Sequence, residues 1–181
     1  PRRGVRVTRA EVGVRVPDWS LELQHLGGPL RFDTGGIQAQ ELTADDNGVP
    51  VQLQSRIGDA TRRRDASLES SMHGRFDAAS LLKAWPDLVW LGDFAAGQAV
   101  FDVGLSLRTD PASGKLLQQL SVDSSLDGMA LKLPAPLRKP AEGQSHLHVE
   151  LGLPLDGARL SVRLAGIVDA NLRLASASQP L

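Results

Sequence analysis

Apolar and polar residues alternate with a period of two along much of the chain. The clearest runs are residues 99–107, where Val100 is the exception, and residues 147–153 and 160–164. Residues 12–16 show a shorter run of the same kind. This period predicts β-strands with one buried face and one solvated face. Strands of a buried parallel sheet would be continuously apolar, so the pattern favours an antiparallel sheet.

One short helix is predicted among these strands, at residues 77–85. Asp77 can cap its first turn, and Pro86 ends it. Leu81, Leu82 and Trp85 would then share one face of the helix. The fold class is therefore mainly β, an antiparallel sheet with about one short helix.

The stretch SSLDGMALKLPAPLRKPA, residues 124–141, predicts a hairpin. Asp127–Gly128 suits a two-residue turn. All the large aliphatic side chains then lie on one face, and Pro134 and Pro136 end the strand because proline cannot donate to a sheet ladder. In that register the facing pairs are Leu126 with Met129, Val122 with Leu133, and Asp123 with Lys132.

A second hairpin is predicted at Asn47–Gly48. Its facing pairs are Leu42 with Leu53, Ala44 with Val51, and Thr43 with Gln52. The two turns lie 80 residues apart, so residues 37–56 and 117–136 could form an internal hairpin repeat. The alternative is that any two hairpins resemble one another.

The composition of the chain argues against several classes of function. The chain has 181 residues, 41% of them hydrophobic and 23% charged, as in an ordinary folded domain. A formal net charge of −1 offers no electrostatic case for nucleic acid, and the absence of cysteine excludes disulfides, cysteine nucleophiles and thiolate metal sites. Aromatic residues make up 4% with no tyrosine, so flat platforms for sugars or bases are scarce.

The chain begins at Pro1 and shows neither a signal-peptide pattern nor an apolar run of about 18 residues. We therefore interpret residues 1–181 as a single β-rich fragment of a larger protein.

Residues with site-like spacing are few. His146, His148 and Glu150 would lie on one face of a strand, as metal ligands can. The simpler interpretation is a polar outward face, so no metal and no cofactor is predicted. Residues 45–48 (Asp-Asp-Asn-Gly) lack the further ligands of a calcium loop and predict a turn. Residues 62–65 predict a solvated bend, with a headgroup or phosphate contact as the alternative.

No catalytic constellation is visible. The serines do not lie in a G-x-S-x-G elbow, and the glycines form neither a dinucleotide fingerprint nor a P-loop. His25 and His73 have no obvious partner in the sequence. We therefore expect that the chain is not an enzyme. The apolar strand faces could pack into a closed core, or they could line a sheet that curls without closing and holds something aliphatic.

A family resemblance centres on residues 120–141, LSVDSSLDGMALKLPAPLRKPA. The segment resembles the YhdP-like branch of the AsmA-like superfamily, whose pattern is an acidic or serine-rich turn, a glycine, an alternating strand, Leu-Pro-Ala-Pro-Leu and a lysine. Here these are residues 125–128, residues 131–137 and Lys139, with Ser125 where aspartate is common. Residues 28–51 and 74–85 resemble further family segments more loosely.

The resemblance implies a segment of a large Gram-negative envelope protein, anchored in the inner membrane outside this fragment and otherwise periplasmic. Such proteins are similar to bridge-like lipid transporters, with strongly curved sheets that form an open groove or half-barrel. The implied partners are phospholipid acyl chains, neighbouring segments of the same full-length chain and other envelope proteins, with no nucleic acid. The alternative is a structural or protein-interaction β domain with a closed core.

If a groove exists, its lining should come from the alternating aliphatic faces. The expected lining residues are Phe101, Val103, Leu105, Leu107, Leu131, Leu133, Leu147, Val149, Leu151, Leu160, Val162 and Leu164.

Overall fold

The computed structural model describes residues 3–7, 13–16, 21–33, 36–46, 48–58, 67–82, 86–110, 112–154 and 156–174. Twelve strands and two short helices form within them. The strands are β1 Arg3–Val7, β2 Val14–Val16, β3 Leu21–Asp33, β4 Gly36–Asp46, β5 Val49–Ile57, β6 Leu68–Asp77, β7 Ala95–Thr109, β8 Leu116–Ser124, β9 Met129–Leu131, β10 Leu147–Leu153, β11 Arg159–Leu164 and β12 Val168–Arg173. The helices are α1 Ala78–Leu82 and a 3₁₀ helix Pro86–Phe94.

All pairings in the sheet are antiparallel. The order along it is β1-β3-β4-β5-β6-β7-β8-β10-β11-β12, with β2 also on β3 and β9 also on β7. The first and last strands of this path do not pair, so the sheet curls but stays open. The predicted mainly β, antiparallel, curved and open fold is therefore confirmed.

Two local predictions are confirmed in detail. In the β4–β5 hairpin, Leu42 faces Leu53 and Ala44 faces Val51, as the turn signal required. Gly48 has a φ of 85°, which suits glycine in such a turn; residue 47 lies outside the described residues. The Asp77 side chain accepts a hydrogen bond from the backbone N–H of Ser80 at 2.8 Å and so caps α1.

Two of the sequence predictions concern residues that the structure does not describe. Trp85 lies outside the described residues, as do residues 62–65. The 3₁₀ helix that begins at Pro86 was not predicted.

The predicted hairpin at Asp127–Gly128 is wrong. The Met129 N–H donates to the Leu126 carbonyl at 3.1 Å, so a tight turn forms there, but the chain does not reverse. Instead β9 continues along the same edge of β7 that β8 occupies, with Met129 opposite Gly97. The predicted pairs of Val122 with Leu133 and Asp123 with Lys132 are replaced by Val122 with Val149 and Asp123 with His148.

The true reversal lies in the proline-rich segment. Leu131 and Lys139 exchange backbone hydrogen bonds at 2.8 and 3.1 Å, and the Leu137 N–H donates to the Pro134 carbonyl at 2.9 Å. The sequence therefore contains one long hairpin whose arms are residues 116–131 and 139–153. The chain reverses at Gly48 within residues 37–56, whereas it does not reverse at Gly128 within residues 117–136; the internal repeat of these segments stays a prediction.

One face of the curled sheet carries a buried cluster. Its members are Leu23, Ala39, Leu42, Ala44, Val51, Leu53, Phe76, Ala99, Phe101, Leu126, Met129 and Leu164. The strand ends near residues 77, 95, 124, 147 and 164 form what we call the upper rim of the sheet, and those near residues 57, 68, 109, 116, 153 and 159 form the lower rim. The cluster lies toward the upper rim.

Candidate functional site

On the apolar face, side chains of the same residue type lie opposite one another on neighbouring strands. Pairing in register places Val103, Val122, Val149 and Val162 in one row. The adjacent row toward the lower rim consists of Leu105, Leu120, Leu151, Leu160 and Leu172. We call them the valine row and the leucine row.

Both rows run perpendicular to the strands. At about 4.8 Å per strand, the leucine row extends for about 19 Å, and the two rows lie about 6.7 Å apart because they are two residues apart along each strand. Together the two rows form a continuous strip of aliphatic side chains across β7, β8, β10 and β11, and we call this strip the furrow. On β5 and β6 the leucine row gives way to Ser55 and Ser70, which face each other.

Burial differs across this face. All four members of the valine row are partly exposed, whereas Leu120 and Leu151 are 4% and 5% exposed. Above the valine row, Phe101 and Leu164 are buried in the main cluster. The accessible aliphatic surface therefore comprises the valine row and the partly exposed members of the leucine row.

The structure brings ten of the twelve expected lining residues onto this one face of β7, β10 and β11. Phe101, Leu151 and Leu164 among them are buried, and the other seven are partly exposed. Leu131 and Leu133 lie instead at the hairpin tip on the upper rim. Whether any of the twelve contacts lipid stays a prediction.

Leu120 and Val122 of β8 also lie in these rows, although they were not among the expected lining residues. The alternating pattern of residues 118–124 was the signal that could have found them.

The hairpin tip is held by a buried cation. The Lys139 ammonium donates hydrogen bonds to the backbone carbonyls of Leu126 and Met129 at 2.7 Å each, and of Pro140 at 3.1 Å. The residue is 6% exposed. Burial lowers the pKa of Lys139, while the charges of Asp127 and Glu142 act in the opposite direction. All three ammonium protons are used by the chain itself, so Lys139 is a structural group.

The opposite face of the same strands is polar. One row across it contains His73, Asp102, Asp123, His148 and Arg163. His73 Nδ1 lies 2.6 Å from Asp102 Oδ1, and His148 Nδ1 lies 2.7 Å from Asp123 Oδ1. Asp102 and Asp123 face each other directly, and each carboxylate of this like-charged pair is hydrogen-bonded to an imidazole on its far side.

The structure does not group His146, His148 and Glu150 as metal ligands. His148 is bound to Asp123, and its Nε2 lies 3.4 Å from Glu150. Within the described residues no group of three or more histidine or acidic side chains could hold a metal ion. The hydrogen bond to Asp123 raises the pKa of His148, and Glu150 adds to that effect. This part of the strand matches the polar outward face that the sequence favoured.

Two clefts lie away from the aliphatic rows. A cleft of about 80 Å³ is lined by Pro29, Arg31, Gln38, Gln40 and Glu41. A larger, open cleft of about 700 Å³ lies beside the β11–β12 turn; it is lined by His146, His148, Arg163, Leu164, Ala165, Gly166, Ile167, Val168 and Asp169. Its polar groups are paired with acids, since Asp123 lies 3.7 Å from His146 and Asp169 lies 3.9 Å from Arg163.

A comparison against known families identifies the family of this chain. The family model described as YhdP protein matches residues 5–180. The chain belongs to the YhdP family. This is a family of bacterial envelope proteins and is not a known enzyme family. No curated protein and no solved structure matches this YhdP-family chain. No helix among the described residues is long and apolar enough to cross a bilayer.

Proposed function

We propose that this chain is a segment of a periplasmic bridge-like protein that carries phospholipid between the inner and outer membranes along its concave apolar face. The observation that most directly supports this proposal is the alignment of the valine and leucine rows, which form a furrow that runs from strand to strand. A furrow in that direction can continue into neighbouring segments of the same protein. Membership of the YhdP family supports this proposal.

The chemistry of the rows suits acyl chains. Their side chains are aliphatic and lack polar atoms, so they offer apolar contact without directional bonding. Each buried methylene contributes about 0.8 kcal/mol, and no single contact is strong. Many weak apolar contacts together can therefore hold a lipid, and the lipid can still move along the furrow.

A second candidate function is a protein-interaction domain of the envelope. It is favoured by an exposed apolar patch on the 3₁₀ helix, where Val89, Trp90 and Phe94 are 46%, 57% and 37% exposed. Trp90 and Phe94 form an edge-to-face pair with centroids 6.0 Å apart. Such a patch suits contact with a partner.

Lipid extraction followed by mass spectrometry of the purified chain tests the proposal. The wild type should carry phospholipid, and Val149→Asp and Val162→Asp should carry much less, because a carboxylate in the furrow must be desolvated beside an acyl chain. Asn171→Asp is the matched control, since it places the same charge on an exposed position of the outer face.

Each variant should keep a cooperative thermal transition. Absence of lipid in the wild type, or equal lipid content in all the folded variants, would sink the proposal.

A further inference from the structure

Two serines interrupt the leucine row on β5 and β6. Ser55 faces Ser70 across this pair of strands, and Ser70 faces Leu105, the first member of the leucine row. Side chains alternate between the faces of a strand, so both serines lie on the apolar face, together with Leu53 and Met72 one row nearer the upper rim. The two hydroxyl groups are therefore in line with the leucine side chains, at one end of the furrow.

Aliphatic side chains surround this pair of serines, which we call the serine notch. It lies between two facing pairs of residues, Leu53 with Met72 toward the upper rim and Ile57 with Leu68 toward the lower rim. On β4 the next residue in the row is Ala39, which is 3% exposed. The serine notch is therefore a polar spot within an apolar surface, and the furrow adjoins it on the β7 side.

The protein engages the hydroxyl groups of the serine notch only weakly. Ser70 Oγ lies 3.3 Å from the Gln54 carbonyl oxygen, which is longer than the usual range of about 2.5–3.0 Å for a hydroxyl donor. The Ser55 hydroxyl has no hydrogen-bond partner among the residues that the structure describes. By contrast, the buried Ser124 on the same face donates to the Val100 carbonyl at 2.7 Å. Both serines of the notch are partly exposed, so a ligand can reach their hydroxyl groups.

The parts of a phospholipid differ in how well they suit this notch. Hydrocarbon lying over it would displace water and leave the Ser55 hydroxyl without a partner, which costs free energy. An ester carbonyl in the same place would accept a hydrogen bond from that hydroxyl. A phosphate group is charged, and the aliphatic pairs on both sides of the notch offer no cation to balance it. The ester group is therefore the part of the lipid that matches the notch.

The furrow beside the notch is long enough for an acyl chain. The leucine row extends for about 19 Å from Leu105 on β7 to Leu172 on β12. An acyl chain in one leaflet of a bilayer spans about 15 Å, half of a hydrocarbon core of about 30 Å. A chain whose ester carbonyl lies at the serine notch can therefore extend along the furrow toward β12.

We propose that the serine notch binds the ester carbonyl of a phospholipid, with Ser55 as the first hydrogen-bond donor and Ser70 as the second, while the acyl chain lies along the furrow toward β12. This inference rests on the proposed function, because it requires lipid in the furrow. It adds a position at which a moving lipid is held, the part of the lipid that is recognised, and the direction in which its acyl chain points.

Lipids that differ only in the carbonyl group test this inference. The chain is incubated with vesicles of diester phosphatidylglycerol or of its diether analogue with hydrocarbon chains of equal length, and the retained lipid is measured by mass spectrometry. The wild type should retain about three- to tenfold more of the diester lipid, since the ether lacks the carbonyl acceptor. Ser55→Ala/Ser70→Ala should retain the two lipids equally, because it removes both donors.

Two further double variants separate the hydroxyl groups of the notch from general effects. Ser55→Thr/Ser70→Thr keeps both hydroxyl groups and suits a strand, so it should keep the preference for the diester lipid. Ser71→Ala/Ser106→Ala removes two hydroxyl groups from the polar face of β6 and β7 and should also keep the preference.

Three results would overturn the inference and leave the proposed function standing. They are equal retention of the two lipids by the wild type, a preference that persists in Ser55→Ala/Ser70→Ala, and a preference that is lost to the same extent in Ser71→Ala/Ser106→Ala. If the wild type retains neither lipid, the proposed function fails, and the inference fails with it.

Discussion

Replacing Lys139 by methionine should strongly lower the free energy of unfolding of the chain. Methionine is similarly long and apolar, but it removes the donor that serves the carbonyls of Leu126, Met129 and Pro140. All three carbonyls lose a charged partner, although the Leu126 carbonyl keeps the hydrogen bond from the Met129 N–H and the Pro140 carbonyl keeps the one from the Gly143 N–H.

The expected magnitude follows from these three bonds. A hydrogen bond to a charged group contributes about 1.5–3 kcal/mol net, and relief from burying the ammonium offsets part of that sum. The net loss for Lys139→Met should therefore be about 2–4 kcal/mol. For a chain of this size, about 2–4 °C is lost per kcal/mol, so the melting temperature should fall by about 5–15 °C.

Urea denaturation of Lys139→Met, Lys139→Arg and Lys132→Met measures this effect. Lys132 is exposed and lies close to Lys139 in the same hairpin tip, so its variant should stay within about 0.5 kcal/mol of the wild type. The arginine variant keeps the charge but not the fit, and it should be intermediate. The reasoning is refuted if Lys139→Met unfolds at the same urea concentration as Lys132→Met with an unchanged slope.

Two further predictions concern the sheet. His148 has a raised pKa in the folded state, so its pairing with Asp123 stabilises fully below about pH 6.5, and this contribution is lost as the pH rises through the raised folded value. His148→Gln should therefore flatten the fall in urea midpoint as the pH rises above about 6.5, and an unchanged slope would contradict this assignment. Gly128→Ala should cost more stability than Gly48→Ala: both glycines have positive φ, but a Cβ at Gly128 would lie 2.6 Å from the Gln98 carbonyl, and one at Gly48 meets nothing within 4 Å. Equal thermal shifts would argue against that close contact.

The sequence alone determined the local features of this fold. Alternation of polar and apolar residues identified the strands and the face that each one buries, because side chains on a strand point to opposite sides in turn. The β4–β5 register followed from a turn of two residues, and the Asp77 cap followed from one side chain and its own helix. Each of these features depends on residues that are close in the sequence.

The tertiary structure decided what depends on distant residues. Asp127–Gly128 forms a tight turn, but whether such a turn reverses the chain depends on what lies beside it. Here the long strand β7 offers hydrogen-bonding groups to β8 and also to β9, and Lys139 holds the intervening carbonyls. The reversal therefore moves to Pro134–Leu137, and Asp127–Gly128 becomes an irregularity within one arm of the hairpin.

The valine and leucine rows likewise depend partly on the sequence and partly on the tertiary structure. The sequence specified that Val103, Val122, Val149 and Val162 occupy alternating positions on their strands. Their alignment required the registers of β7 with β8, of β8 with β10 and of β10 with β11, and the register of β8 with β10 is set across a long connection that contains β9 and the reversal at residues 134–137. Because a register shift of two residues would preserve every buried face yet misalign the rows, the pattern of residues could identify the apolar face, and the pairing of the strands arranged it into a furrow.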